Sequence, residues 1–272
     1  MSSAPLTPRR DRRPPLLLAS YGVHAAMLGL LLWRPALWAW ALAAVVLNHA
    51  VIDAAGLLPR CRLLGPNWRR LPEAAAGAGQ IALTIDDGPD PEVTPQVLTL
   101  LERHGARASF FLIGSRARRH PELVAEIARR GHSVENHSDT HRHHFPLFGP
   151  RRIEMEVRRA QDTLTELSGQ RPRFFRAPAG LRNPFLKPVL ARNGLWLASW
   201  TRRGYDTRNG DAEDVAARLL DGLAAGDILL LHDGHAARTG SGQPIILAVL
   251  PQVLAAIEAA GLHCIALPEA LA

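Results

Sequence analysis

Cysteine is almost missing from this chain. Cys61 and Cys264 are the two present, and 203 residues separate them. A disulfide framework is thereby excluded, and without a CxxC pair nothing suggests a thiolate metal site. Net charge is missing from most of the sequence as well. Residues 71–272 hold 23 basic and 23 acidic residues, while residues 1–70 hold nine Arg against two Asp. The formal excess of +7 therefore belongs to the N-terminal quarter. A nucleic-acid partner, which needs a basic face on the folded domain, is argued against. Disorder is argued against too, because 47% of the 272 residues are apolar and 21% are charged. No low-complexity tract or close repeat interrupts the chain.

Long apolar runs are present, and both lie near the start. Arg9, Arg10, Arg12 and Arg13 precede a run from Leu16 to Trp33. Arg34-Pro35 breaks it, and a second run follows from Ala36 to Ala55. Each approaches the ~20 residues that carry a helix across ~30 Å of hydrocarbon. Trp33, Trp38 and Trp40 cluster at the break, as an interfacial aromatic belt would. Ser20, His24, Asn48, His49 and Asp53 interrupt the runs. The expected arrangement is a membrane hairpin within residues 1–58, with spans over 16–33 and 36–55. A single anchor and a cleaved signal peptide are the alternatives. The apolar stretch is long for a signal peptide, and no clean A-x-A site follows the first run. With two spans, the Arg cluster and Arg60, Arg62, Arg69 and Arg70 put both ends on the cytoplasmic side. With one span the remainder lies outside the cell membrane. Residues 59–79, with Pro, Gly and Ala, read as a linker.

From residue 80 onward strands and helices alternate. Strand-like segments are expected at 81–85, 108–113, 133–135, 174–175, 195–200, 227–231 and 262–266. Helical spacing separates them, most plainly over 150–168, where Ile153, Val157, Ala160 and Leu164 share one stripe. This is an α/β pattern with a mainly parallel sheet: a (β/α) barrel of about seven strands, or an open doubly wound sheet. Ligands gather beyond the carboxyl ends of strands in either case. Five polar clusters sit there: Asp86-Asp87, His137 with His141, Arg176, Asp206 near Trp200, and His232-Asp233.

Adjacent carboxylates repel unless a cation or donors stabilise them. Gly88-Pro89 can present Asp86 and Asp87 on a tight turn, though such a turn can also be merely solvated. His137 and His141, four apart, would reach one ion from a single helical turn; a solvated His-rich loop with His143 and His144 is the plain alternative. A carboxylate from the first cluster would complete a His-His-Asp set, the pattern of hydrolytic zinc and of non-haem iron. Arg176 can orient a carboxylate. His232, after an apolar strand, can act as an acid or sit as a satisfied core imidazole.

Together the segments TIDDGPD, HSDTH, RAPAG and LLLHD, in this order and spacing, resemble the polysaccharide deacetylase family, carbohydrate esterase family 4, from about Gln80 to Ala270. The resemblance implies a distorted (β/α) barrel and a divalent-metal hydrolase that removes N-acetyl, sometimes O-acetyl, groups from sugars. It implies Asp86 as general base, Asp87, His137 and His141 as metal ligands, Arg176 as the residue that holds Asp86, and His232 as general acid. Asp206 is similar to the carboxylate that tunes this acid, although the surrounding WTRRGYDT departs from the commoner pattern. Ala179 stands where an aromatic is often found, and its N–H would be the oxyanion donor. Trp200 would line the substrate groove. The implied metal is Zn2+, with Co2+ or Ni2+ as alternatives. The expected partners are the membrane and an N-acylated glycan or a lipid-linked sugar. Deformylation or deacetylation of a lipid-linked sugar at the cytoplasmic face, a non-catalytic carbohydrate-binding module and an iron oxygenase are the competing functions.

Overall fold

The computed structural model describes residues 13–271; Arg9, Arg10 and Arg12 of the basic cluster lie outside the described residues. The chain opens with two antiparallel helices, α1 (Pro15–Trp33) and α2 (Trp38–Leu57), joined by a 3-10 turn at Pro35–Leu37. Arg34 and Pro35 set that break, because proline supplies no N–H to continue α1. Both helices are long and apolar enough to cross a membrane, by length and composition. They are not core helices: Leu28, Leu32, Trp33, Trp40 and Leu47 are exposed. The polar residues that interrupt each run meet across the seam. Asn48 Nδ2 donates to Ser20 Oγ at 2.8 Å, and the Nε2 atoms of His24 and His49 lie 3.3 Å apart. Facing partners satisfy these groups inside an apolar pair.

The rest of the chain builds one sheet with helices outside it. Its strands are β1 (Gln80–Asp86), β2 (Ala108–Leu112), β3 (Ser133–Asn136), β4 (Phe174–Phe175), β5 (Trp196–Leu197), β6 (Arg202–Arg203), β7 (Ile228–His232) and β8 (His263–Ile265). Seven run in the order β5-β4-β3-β2-β1-β7-β6, and β8 pairs with the start of β1. Every pairing is parallel. The expected distorted barrel is thus present, open between β5 and β6. The strand expected over 195–200 shrinks to two residues, and β6 was not expected. Arg202-Arg203 carries no apolar signal; its place comes from pairing with Leu229 and Leu230.

The segment 59–79, expected as a linker, is packed against the sheet. Trp68 bridges Ala198, Arg70 bridges Asp227, and Leu64 and Leu71 are buried. A short helix, α3 (Glu73–Gly77), leads into β1.

Alternation along the strands decides what points where, because successive side chains take opposite faces. Ala82, Phe111, Phe174 and Ile228 fill the inside of the curved sheet. Ile81, Leu83, Ile85, Leu229 and Leu231 face the outer helices. Counting on by twos sends Thr84 and Asp86, Leu230 and His232, and Arg176 to the inside, at the strand ends.

The hairpin is tied to this barrel. Arg182 is buried, donates its N–H to Gly56 O at 3.0 Å and its Nη2 to Cys61 O at 2.6 Å. A guanidinium at the end of α2 also suits the negative pole of that helix. Gly180, at φ +74°, leaves room for Pro59 and Trp200: a Cβ there would stand 2.6 Å from Pro59 Cβ and 2.8 Å from Trp200 Cη2. Gly180→Ala is therefore expected to loosen the hairpin. Overpacking costs about 1–3 kcal/mol, so trypsin cleavage of the full chain at Arg60 and Arg62 should rise roughly tenfold. An unchanged cleavage rate would contradict the docking.

Candidate active site

Asp86 ends β1 inside the sheet and is 2% exposed. Arg176, which follows β4, is 1% exposed and meets it there: Nη1 donates to Asp86 Oδ1 at 2.5 Å and to Thr84 Oγ1 at 2.9 Å. Its Nη2 donates to Ser199 O at 2.9 Å, and Phe111 lies under the guanidinium at 4.1 Å. The arginine has no freedom to move, so neither does the carboxylate oxygen it holds.

Asp87, His137 and His141 form a second group, with one ligand atom from each within 4.8 Å of the others. His137 Nε2 lies 3.3 Å and His141 Nε2 3.1 Å from Asp87 Oδ1. A helical turn was expected to bring the histidines together. Instead residues 137–141 form a loop in which Ser138 (φ 64°) and His141 (φ 49°) take left-handed backbone. Asn136 Oδ1 accepts the Ser138 N–H, and Ser138 Oγ accepts the His141 N–H, which hold that shape.

The donor chemistry suits a cation. His137 Nδ1 donates to Arg176 O at 2.8 Å, which leaves Nε2 as a lone pair facing the group. Burial, followed by the neighbouring His137, pushes His141 down to about 3, so its imidazole is neutral. Burial acts to raise Asp87, but the facing imidazoles, with His235 bonded to Oδ2, outweigh it and hold the carboxyl well below its ordinary range. Asp87 Oδ1 is buried with no hydrogen-bond donor. Two imidazole lone pairs and an orphaned carboxylate oxygen turned on one point are stable together around a metal ion.

His232 ends β7 on the opposite side. Asp206, fully buried, accepts the His232 N–H through Oδ2 at 2.7 Å and meets His232 Nδ1 through Oδ1 at 2.9 Å. Burial disfavours the imidazolium, but the Asp206 carboxylate and its hydrogen bond outweigh that and raise the His232 pKa. Asp233, next in sequence, is not this partner: it turns away, accepts Thr94 Oγ1 at 2.5 Å, and is pushed up to about 7 by burial.

Ala179 (φ 54°) and Trp200 line the same cavity of about 340 Å³ as Asp86, Asp87, His137, His141 and His232. Among the described residues no acceptor faces the Ala179 N–H. All nine expected residues therefore converge; Arg176 and Asp206 stand behind the cavity wall and hold Asp86 and His232.

Comparison with known proteins decides the family. Residues 74–197 match the family model described as polysaccharide deacetylase. A peptidoglycan-N-acetylglucosamine deacetylase of Bacillus cereus is 32% identical over 195 residues, covering 70% of this chain and 87% of that protein. A chitooligosaccharide deacetylase of Azorhizobium caulinodans is 34% identical, covering 69% and 92%. This chain belongs to the polysaccharide deacetylase family. Among solved structures, the family 4 carbohydrate esterase from Streptomyces lividans in complex with acetate superposes with a TM-score of 0.62 at 30% identity, over 68% of this chain and 91% of that one. Membership makes this polysaccharide deacetylase a hydrolase, and the iron-oxygenase reading falls.

Sequence reasoning missed several cavity residues of this deacetylase. His235 Nδ1 lies 3.2 Å from Asp87 Oδ2, and Arg116 meets His235 Nε2 at 2.8 Å while donating to Asp87 O at 2.9 Å. This clamp occupies Oδ2 and leaves Oδ1 to the histidines. The available signal was a histidine three residues past His232, just beyond a strand end. Arg203 and Arg208 also line the cavity; nothing in an arginine-rich sequence singled them out.

Asp206→Asn removes the main influence that raises the His232 pKa and leaves burial, which lowers it, opposed only by the more weakly acting Asp86 and Asp87. Loss of the acid form on raising pH should then begin earlier. The alkaline limb of kcat/KM is expected to move down by at least about 1 unit. An unmoved limb would separate Asp206 from the acid.

Proposed function

We propose that this chain is a membrane-held, metal-dependent deacetylase that removes the N-acetyl group from an N-acetylglucosamine-containing glycan. One observation carries the reading: a His-His-Asp ligand group lies between an arginine-held carboxylate and an aspartate-held imidazole. Its relatives' names, peptidoglycan-N-acetylglucosamine deacetylase and chitooligosaccharide deacetylase, supply the glycan class.

Asp87, His137 and His141 would hold the metal. When bound, a zinc-like ion supplies a water of lowered pKa and polarises the amide carbonyl. Asp86 takes the proton of the water as its oxygen bonds to the carbonyl carbon. Arg176 keeps Asp86 in one orientation, with its second oxygen free. The Ala179 N–H donates to the carbonyl oxygen as charge grows there; one such donor is typically worth ~3 kcal/mol. The carbon–nitrogen bond then breaks, and His232 gives its proton to the departing sugar nitrogen. Acetate and a free amino sugar leave, and Trp200 lines the wall against which the sugar lies. Mere glycan binding needs neither the acid nor the base, which disfavours a non-catalytic module.

The division follows: a basic N-terminus and membrane hairpin over 1–58, with spans over 16–33 and 36–55, a connecting segment over 59–79 and a catalytic domain over 80–272. The packing of α2 against Arg182 and of Pro59 against Gly180 argues for a retained anchor and against a removed leader. With two spans, the arginine bias puts the catalytic domain on the cytoplasmic face.

The test is acetate release by the full-length protein from a panel of N-acetylated glycans. Chelator should abolish release, and added zinc should restore it. Release that persists after complete metal removal, or no release from any glycan at any metal loading, would contradict the reading.

A further inference from the structure

A second cavity, of about 700 Å³, opens where α2 ends. Leu58, Pro59 and Arg60 form one wall, and Arg202, Arg203 and Arg218 another. Trp200 and Arg203 line both this cavity and the catalytic one, so the two adjoin at these residues. If α2 spans the bilayer, the groove starts at headgroup depth and borders the catalytic cavity at Trp200 and Arg203.

Its charge is one-sided: four arginines against Asp221. Two of the four are already committed. Arg202 pairs with Asp227, and Arg218 with Asp214. Arg60 and Arg203 have no carboxylate partner among the described residues. Arg203 is held by rings instead: its Cζ lies 5.3 Å from the Trp200 ring and 5.1 Å from that of Tyr205. Stacking fixes the guanidinium without using its N–H donors, and its Nε is buried with no acceptor. A planar fork held ready in this way matches a phosphate. A neutral glycan would leave it unanswered.

We infer that the groove binds the phosphate of a lipid-linked amino sugar. The lipid lies beside the hairpin, the phosphate sits between Arg60 and Arg203, and the N-acetyl group reaches Asp86. This rests on the deacetylase reading above and narrows its substrate to a membrane-borne glycosyl phosphate.

The test uses the full chain, zinc-loaded, in phosphatidylcholine nanodiscs. Acetate release is measured from a synthetic polyprenyl-phosphate-linked N-acetylglucosamine in the disc and from soluble chitotetraose, for the wild type and Arg60→Gln. Arg60 is exposed and outside the catalytic cavity, so the chitotetraose rate reports folding. The expected result is at least a tenfold loss of kcat/KM on the lipid-linked sugar, with the chitotetraose rate within about twofold. Equal rates of the two proteins on the lipid-linked sugar would overturn the groove assignment. Turnover of chitotetraose alone would overturn the substrate and leave the deacetylase standing; turnover of neither would overturn both. A last arm adds phosphatidylglycerol at the mole fraction of the sugar lipid. If that abolishes the difference between the proteins, the arginines hold bulk anionic lipid and the inference fails.

Discussion

One buried ion pair organises this molecule. Arg176 reaches from the end of β4 to Asp86 at the end of β1, across the inside of the sheet. Two opposite charges with almost no solvent are tolerable only when nearly every donor is used. Thr84 Oγ1, Ser199 O and the Phe111 face meet that demand. The same arginine gives its carbonyl to His137 Nδ1, so one residue orients both the carboxylate and a ligand imidazole. Of two adjacent aspartates, one is thereby neutralised by a fixed cation inside the fold. The other, Asp87, is left facing two imidazole lone pairs. Different surroundings separate the roles of two like side chains.

The pair also links the site to the helical hairpin at the start of the described chain. Ala179 and Gly180 follow Arg176 on the loop that lines the cavity. Two residues on, Arg182 is bonded to Gly56 and Cys61 at the exit of α2. The loop that carries Ala179 into the cavity is therefore the one on which the hairpin rests.

Much of this was legible in the residues. Strand β1 reads as an unbroken apolar run because it is covered on both faces, and Asp86-Asp87 follow its end directly. The helix Pro150–Ser168 carries enough turns for its stripe to be unambiguous. What was not legible depends on contacts distant in sequence. β6 is two arginines that become a strand by pairing with β7. The His137–His141 spacing suits a helical turn as well as the left-handed loop that Asn136 and Ser138 impose. His235 and Arg116 join the site only because β7 and β2 both end there, 119 residues apart. The segment 59–79 has the composition of a linker, yet it runs along the open side of the barrel.

The measurement that bears most directly on the arginine-held carboxylate is the turnover of Asp86→Asn with its zinc content determined on the same sample. One zinc retained per chain, with kcat reduced at least 100-fold, is the predicted result. Full activity with zinc still bound would show that another group takes the proton.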